Sequence, residues 1–186
     1  MQIFNSSQRY GTVAKSLHWL TVIAVSLAWF LGTFDDIFPK GPARASAFAA
    51  HVFAGLSFLA ILALRLPWRL FDRPPAPEVS GPGGWIDRIG GYAHLMLYGL
   101  LILAPVSGVV LQFARGDALP VFGFFEIASP WPADRAFSRN VKNLHEVLTN
   151  GLVILAGLHI AAALMHHWIL RDNTLRRMIP GLGGRQ

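Results

Sequence analysis

Four stretches of this chain carry no Asp, Glu, Lys or Arg for long enough to cross a lipid bilayer, and they restrict its possible folds more than any other feature. They lie between Lys15 and Asp35 (19 residues), Arg44 and Arg65 (20), Arg88 and Arg115 (26), and Glu146 and Arg171 (24). A hydrocarbon core about 30 Å thick is spanned by roughly 20 apolar residues in a helix. With 53% of its 186 residues hydrophobic and only 14% charged, the chain is too apolar for an ordinary soluble domain. Backbone in lipid must satisfy its own hydrogen bonds, and none of the four stretches alternates as a barrel strand does, so each is read as a helix.

The expected fold is therefore an all-α integral membrane protein, a single domain over residues 1–186 built as an up-down-up-down bundle of four transmembrane helices. These run near 14–34, 43–66, 85–114 and 138–170. The first apolar stretch is of span length with no small-residue cleavage site after it, so it is expected to stay in the protein. Pro67 is expected to end the second helix and Pro105 to kink the third, while Arg73-Pro74-Pro75-Ala76-Pro77 stiffens the loop between them. The loop from Arg115 to Arg139 is the longest, and its Trp131 and phenylalanines suit an interface with lipid headgroups.

The positions of Lys and Arg predict orientation. Ten fall on the side of the amino terminus, the 65–88 loop and the tail: Arg9, Lys15, Arg65, Arg69, Arg73, Arg88, Arg171, Arg176, Arg177 and Arg185. Six fall on the other: Lys40, Arg44, Arg115, Arg135, Arg139 and Lys142. The positive-inside rule then places both termini in the cytoplasm. Acidic residues divide four inside and six outside, so the net +6 belongs to the inner face. Basic residues flank spans and form no separate patch, which gives no sign of nucleic-acid binding. There is no cysteine, which excludes disulfides, iron–sulfur ligation and thioether-linked haem.

Seven histidines lie within or at the edges of the apolar stretches, and intramembrane ionisable groups are functional candidates. His145 and His159 are 14 residues apart, so a helix puts them within about 40° of one face and roughly 21 Å apart along its axis. With the topology above, His51 and His145 share an outer layer, whereas His18, His94 and His159 lie in an inner one and His166 and His167 at the inner boundary. Two imidazoles facing each other from different helices can hold a porphyrin iron by axial bonds, sheathed by apolar side chains. In the outer layer only His51 and His145 can form such a pair. The inner layer offers three histidines for two axial places, and spacing leaves that choice open. Gly55, one turn after His51, either lets a flat ring approach or lets two helices pack closely. A zinc or other metal-ion carrier is disfavoured, because such sites usually mix histidine with carboxylate or thiolate and these spans hold neither.

Several segments together resemble the bacterial cytochrome b561 family. They are Ser16-Leu17-His18-Trp19-Leu20, Ala49-Ala50-His51-Val52, His94-Leu95-Met96-Leu97-Tyr98, Leu144-His145-Glu146, Gly157-Leu158-His159, and His166-His167 through Asp172-Asn173-Thr174-Leu175 to Met178. The resemblance covers nearly the whole chain. It implies a di-haem cytochrome of the bacterial inner membrane, with two haem b, and His51 and His145 as iron ligands of the outer haem and His18 and His159 of the inner. His94 would then be no ligand. The resemblance also implies that His166 serves ubiquinone, and helix geometry agrees, since His166 follows His159 by about two turns on nearly the same face; His167 points about 60° further on than a shared pocket prefers and is the poorer candidate. The implied activity is that of a superoxide:ubiquinone oxidoreductase, with periplasmic superoxide as electron donor and ubiquinone as acceptor. Lys40, Arg44, Arg135, Arg139 and Lys142 are available near the outer mouth for an anionic substrate. The same pattern resembles the cytochrome b subunits of membrane hydrogenases and formate dehydrogenases. The alternative is thus a membrane anchor carrying electrons between quinone and a partner enzyme or carrier.

Overall fold

A computed structural model describes residues 2–76, 78 and 85–180, and for Trp85, Ile86 and Asp87 the backbone alone. Four long helices dominate it: α1 (Thr12–Thr33), α2 (Pro42–Phe71), α3 (Trp85–Ala114) and α4 (Arg135–Met165). Each contains a window long and apolar enough to cross a membrane. Helix α1 packs on α2, α3 on α4, and α2 on α3, with successive helices antiparallel. Pro77 and Arg185, which the sequence reading used, lie outside the described residues.

The interior of the bundle is narrow. Ala24, Phe58, Leu62, Leu101, Ala104 and Leu152 form its buried cluster, and Leu152 stands seven residues from both His145 and His159, so this apolar plug fills the middle of the bundle between the histidine layers. Large apolar side chains such as Leu64, Leu103, Ile154 and Leu158 face outward. That outward face is what lipid rewards, because hydrocarbon tails solvate leucine as well as a protein core does. The buried polar residues, Thr21 and Ser107, return their hydroxyls to backbone oxygens, Thr21 to Leu17 at 2.7 Å and Ser107 to Ala104 at 2.7 Å.

Pro67 does not end the second helix, contrary to the sequence expectation. Helix α2 runs through it to Phe71. Proline removes one backbone donor, but the last turn is held from outside: Phe4 stacks on Trp68 with ring centres 5.5 Å apart, and Trp68 Nε1 donates to Asp72 at 3.1 Å. Pro105 lies inside an unbroken α3, where it withholds the N–H that would bond the carbonyl of Leu101.

The structure also contains elements the sequence did not announce. Between α3 and α4 a short antiparallel hairpin pairs β1 (Leu119–Val121) with β2 (Phe125–Ile127). Its turn places Phe122 at φ 53° and Gly123 at φ 77°, the positive pair that a type I′ turn requires. After α4, His166–Leu170 form one π-helical turn, Arg171 takes a left-handed conformation (φ 56°), and a short α5 (Thr174–Met178) follows. The tail folds back onto the bundle end: Trp19 Nε1 donates to Met178 O at 2.9 Å and Arg177 bonds Ala76 O at 2.8 Å and pairs with Glu78 at 2.6 Å. Asn5 donates from its backbone N to Asp72 at 3.1 Å. The N-terminal segment, the end of α2 and the C-terminal helix therefore share one end of the bundle, the grouping that the basic residues predicted.

Candidate haem-binding site

At the end opposite the chain termini, the close of α1, the start of α2, the second half of α3 and the start of α4 enclose a cavity of about 620 Å³. His51 and His145 both line it. Their ring centres are 6.3 Å apart with the planes perpendicular. A metal–imidazole bond of about 2.0 Å on each side places the ring centres of a linear bis-imidazole centre on the order of 6 Å apart, so this pair is spaced to grip one metal between them.

Each ring is also oriented. His51 Nδ1 donates to Ala28 O at 2.7 Å, and His145 Nδ1 donates to Ala104 O at 3.0 Å and Ser107 Oγ at 2.9 Å. With the proton held on Nδ1, each neutral imidazole presents its Nε2 lone pair, the arrangement by which second-shell groups prepare a ligating histidine. Two glycines make room. A Cβ on Gly32 would stand 2.7 Å from His51 Cε1, and one on Gly108 would stand 3.1 Å from His145 Cε1. Neither glycine was singled out from sequence, since the contacts that need them cross between helices. Gly55 also lines the cavity, and a Cβ there would meet nothing within 4 Å. No neighbouring helix requires a glycine there.

The cavity wall fits a porphyrin in other respects. It is mostly apolar, with Val25, Leu59, Val109 and Val153 among its residues. Trp29 lines it too, and its buried indole N–H has no hydrogen-bond partner among the described residues. At the mouth Arg115 and Lys142 stand with Asp35 and Glu146. Lys142 is paired with Glu146 at 2.5 Å, while Arg115 lies 6.0 Å over the Phe48 ring. Of the basic residues expected near the mouth, only Lys142 lines the cavity; Arg44 is tied to the carbonyls of Asp36 and Phe38.

The inner layer is assembled differently. His94 and His159 have ring centres 5.1 Å apart, and His94 Nδ1 donates to Gly90 O at 2.7 Å. The nearby His18 accepts at Nδ1 from Arg65 Nη2 at 3.1 Å. Of the three inner imidazoles, His94 and His159 are the contacting pair. Among the described residues no group of three or more His, Asp or Glu is arranged to hold a metal ion.

Beyond this layer His166 opens the π-helical turn. Its Nδ1 donates to Asp172 Oδ2 at 2.5 Å, a contact that the left-handed Arg171 makes possible by turning the chain back. Burial works against charge on Asp172, but the hydrogen bonds from His166 and Thr174 outweigh it and hold the carboxyl below its ordinary value. His167 instead lines a separate hollow of about 390 Å³ with Trp168, Arg171, Asp172, Asn173 and Arg176.

A four-helix membrane bundle with paired imidazoles around an apolar slot is the arrangement of a class, the membrane proteins that bind haem. The chain belongs to the prokaryotic cytochrome b561 family, whose model matches residues 9–181. It is 31% identical to "Cytochrome b561 homolog 2" of Escherichia coli strain K12 over 96% of this chain and 95% of that one. It is 28% identical to "Probable superoxide oxidase CybB" of Yersinia pestis over 93% and 97%, and 29% identical to "Cytochrome b561 homolog 1" of E. coli K12 over 92% and 97%. The protein is accordingly a membrane cytochrome that binds haem b and transfers electrons.

Proposed function

We propose that this cytochrome holds two haems, one in each histidine layer, and that it takes electrons from superoxide at the outer end and delivers them to ubiquinone at the inner end of the inner membrane, with both termini in the cytoplasm. The observation that carries the reading is the pairing of an open, oriented bis-histidine cavity at one end with a carboxylate-held histidine, His166, at the other. The relative named as a probable superoxide oxidase supports the choice of donor.

When bound, the haems supply one-electron redox chemistry at two depths of the membrane. The residues supply the rest. His51 and His145 fix the outer cofactor between them, and the plug of Phe58, Leu62 and Leu152 keeps water out of the space between the layers. At the mouth Arg115 and Lys142 are balanced by Asp35 and Glu146, so access for a small anion comes from the opening itself and not from a net positive field. His18 and His159 are assigned as inner ligands on the family pattern, and His94 is the competitor that the geometry puts forward. His166, its Nδ1 proton committed to Asp172, can in its doubly protonated form donate from Nε2 to a quinone carbonyl and hand over the proton that quinone reduction consumes, with the Asp172 carboxylate balancing its charge.

The deciding experiment is stopped-flow spectroscopy of the purified, haem-loaded protein mixed with enzymatically generated superoxide, with and without ubiquinone. Haem reduction by superoxide alone, followed by reoxidation when quinone is added, is the expected result. Haems that stay oxidised under superoxide but are reduced by quinol or a soluble redox partner would make the protein an anchor subunit instead.

A further inference from the structure

At the inner end two arginines of α2 share one aromatic ring and have no carboxylate partner among the described residues. Three acidic side chains are described there, and each is engaged: Asp72 accepts from Asn5 and Trp68, Glu78 pairs with Arg177, and Asp172 accepts from His166 and Thr174. Arg65 and Arg69, one turn apart on α2, both lie against the ring of Tyr98, with Cζ 5.6 and 5.4 Å from its centre. Among the described residues neither guanidinium forms an ion pair with a carboxylate. Arg65 is partly buried at the depth of His18, to which it donates. Two cations sharing one aromatic ring at the edge of a membrane repel each other, and a charge at that depth is costly without a counter-ion.

The hydrogen bond to His18 sharpens this. Because Arg65 donates to Nδ1, neutral His18 carries its proton on Nε2 and has no lone pair there to offer a metal. Ligation through Nε2, as His51 and His145 are prepared for, requires the proton on Nδ1, which Arg65 opposes. If His18 ligates in that manner, Arg65 must turn to another acceptor.

We infer that Arg65 and Arg69, braced on Tyr98, are the anion seat for the two carboxylates on the edge of the porphyrin held in the inner histidine layer. A planar guanidinium suits a carboxylate by paired hydrogen bonds, and two guanidinia match two carboxylates in number. Arg65 is a positioning residue: it sets which edge of the ring faces the inner boundary and, by leaving His18, frees that imidazole. The inference rests on the two-haem reading.

The test uses the full chain produced without haem and reconstituted in detergent with haem b or with its dimethyl ester, in which both carboxylates are masked. Wild type, Arg65→Gln and Arg65→Lys are titrated by absorbance, and the midpoint potential of each bound haem is measured by redox titration. With haem b, Arg65→Gln is expected to weaken the second site on the order of tenfold or more, the scale of one charged hydrogen bond, and to lower that haem's potential as a positive charge is removed. Arg65→Lys should recover part of both, and the outer site should not move. With the dimethyl ester, wild type and Arg65→Gln should bind alike. An equal loss for ester and acid would overturn the assignment and make Arg65 a support for His18 or Tyr98. A wild-type protein that binds only one haem would instead overturn the two-haem reading itself.

Discussion

The two histidine layers of this bundle are built on different plans. The outer layer has two imidazoles, each with Nδ1 tied to a carbonyl of the neighbouring helix and each faced by a glycine from that helix. The inner layer has three imidazoles and an arginine, and only His94 has its Nδ1 on a backbone carbonyl, that of its own preceding turn. Among the described residues no glycine near it crowds a ring: a Cβ on Gly90, Gly91, Gly99 or Gly157 would meet nothing within 4 Å. The outer site is thus shaped before its ligand arrives, while the inner one holds a surplus donor and a hydrogen bond that ligation must rearrange. Preorganisation lowers the cost of binding, so the outer layer is expected to retain haem more tenaciously.

The largest effects should come from the ligands. His51→Ala and His145→Ala are each expected to remove one of two haems and leave the other, measured by pyridine haemochrome content and the loss of a low-spin bis-histidine signal. In the inner layer His159→Ala should remove the second haem. The comparison would break if His94→Ala abolished the inner haem while His18→Ala left it bound. The inner layer would then be a second pre-oriented pair, the one already 5.1 Å apart, and the family-based choice of His18 would fail at that residue.

The glycines give a sharper contrast of intermediate size. Gly32→Ala would put a methyl 2.7 Å from His51 Cε1, and overpacking of this kind costs about 1–3 kcal/mol. It is expected to lower outer-haem occupancy severalfold or shift its spectrum, whereas Gly157→Ala, which meets open space, should leave haem content unchanged. Equal tolerance of both substitutions would remove the distinction between the layers.

These contrasts also mark what a sequence reader could and could not see. The four spans were legible because absence of charge over 19 or more residues is a local property, and the outer pair followed because that layer had only two histidines. The continuation of α2 beyond Pro67 was not legible, since it depends on Phe4 and Asn5, more than sixty residues earlier. The hairpin escaped because three-residue strands leave no periodic trace. Gly32 and Gly108 were hidden for a related reason: the atoms that require them belong to other helices. The partnership of His166 with Asp172 needed a π turn and a left-handed arginine that composition does not announce.

The smallest expected effect lies at the inner end and has no outer counterpart. Asp172 has its carboxyl held below the ordinary value by the hydrogen bond from His166, against the burial that opposes it. A depressed folded-state value means that the stabilisation is fully present above the unfolded carboxyl value of about 3.9, and that it fades as pH falls through the lower folded value. Thermal stability attributable to this contact should therefore be flat from pH 7 down to about 4 and decline only below that. Asp172→Asn should lower stability at neutral pH by no more than about 1 kcal/mol and remove this part of the acid decline. It should also slow quinone reduction by a few-fold, because asparagine lacks the carboxylate charge that supports a protonated His166 as proton donor. Melting curves of wild type and variant between pH 7 and 3.5, paired with quinone-reduction rates at pH 7, would test it. A variant that melts with the same pH profile as wild type but loses quinone reduction would make the contact purely a support for proton delivery, whereas unchanged rates would move the quinone away from His166, with His94 and Tyr98 as the next residues to examine.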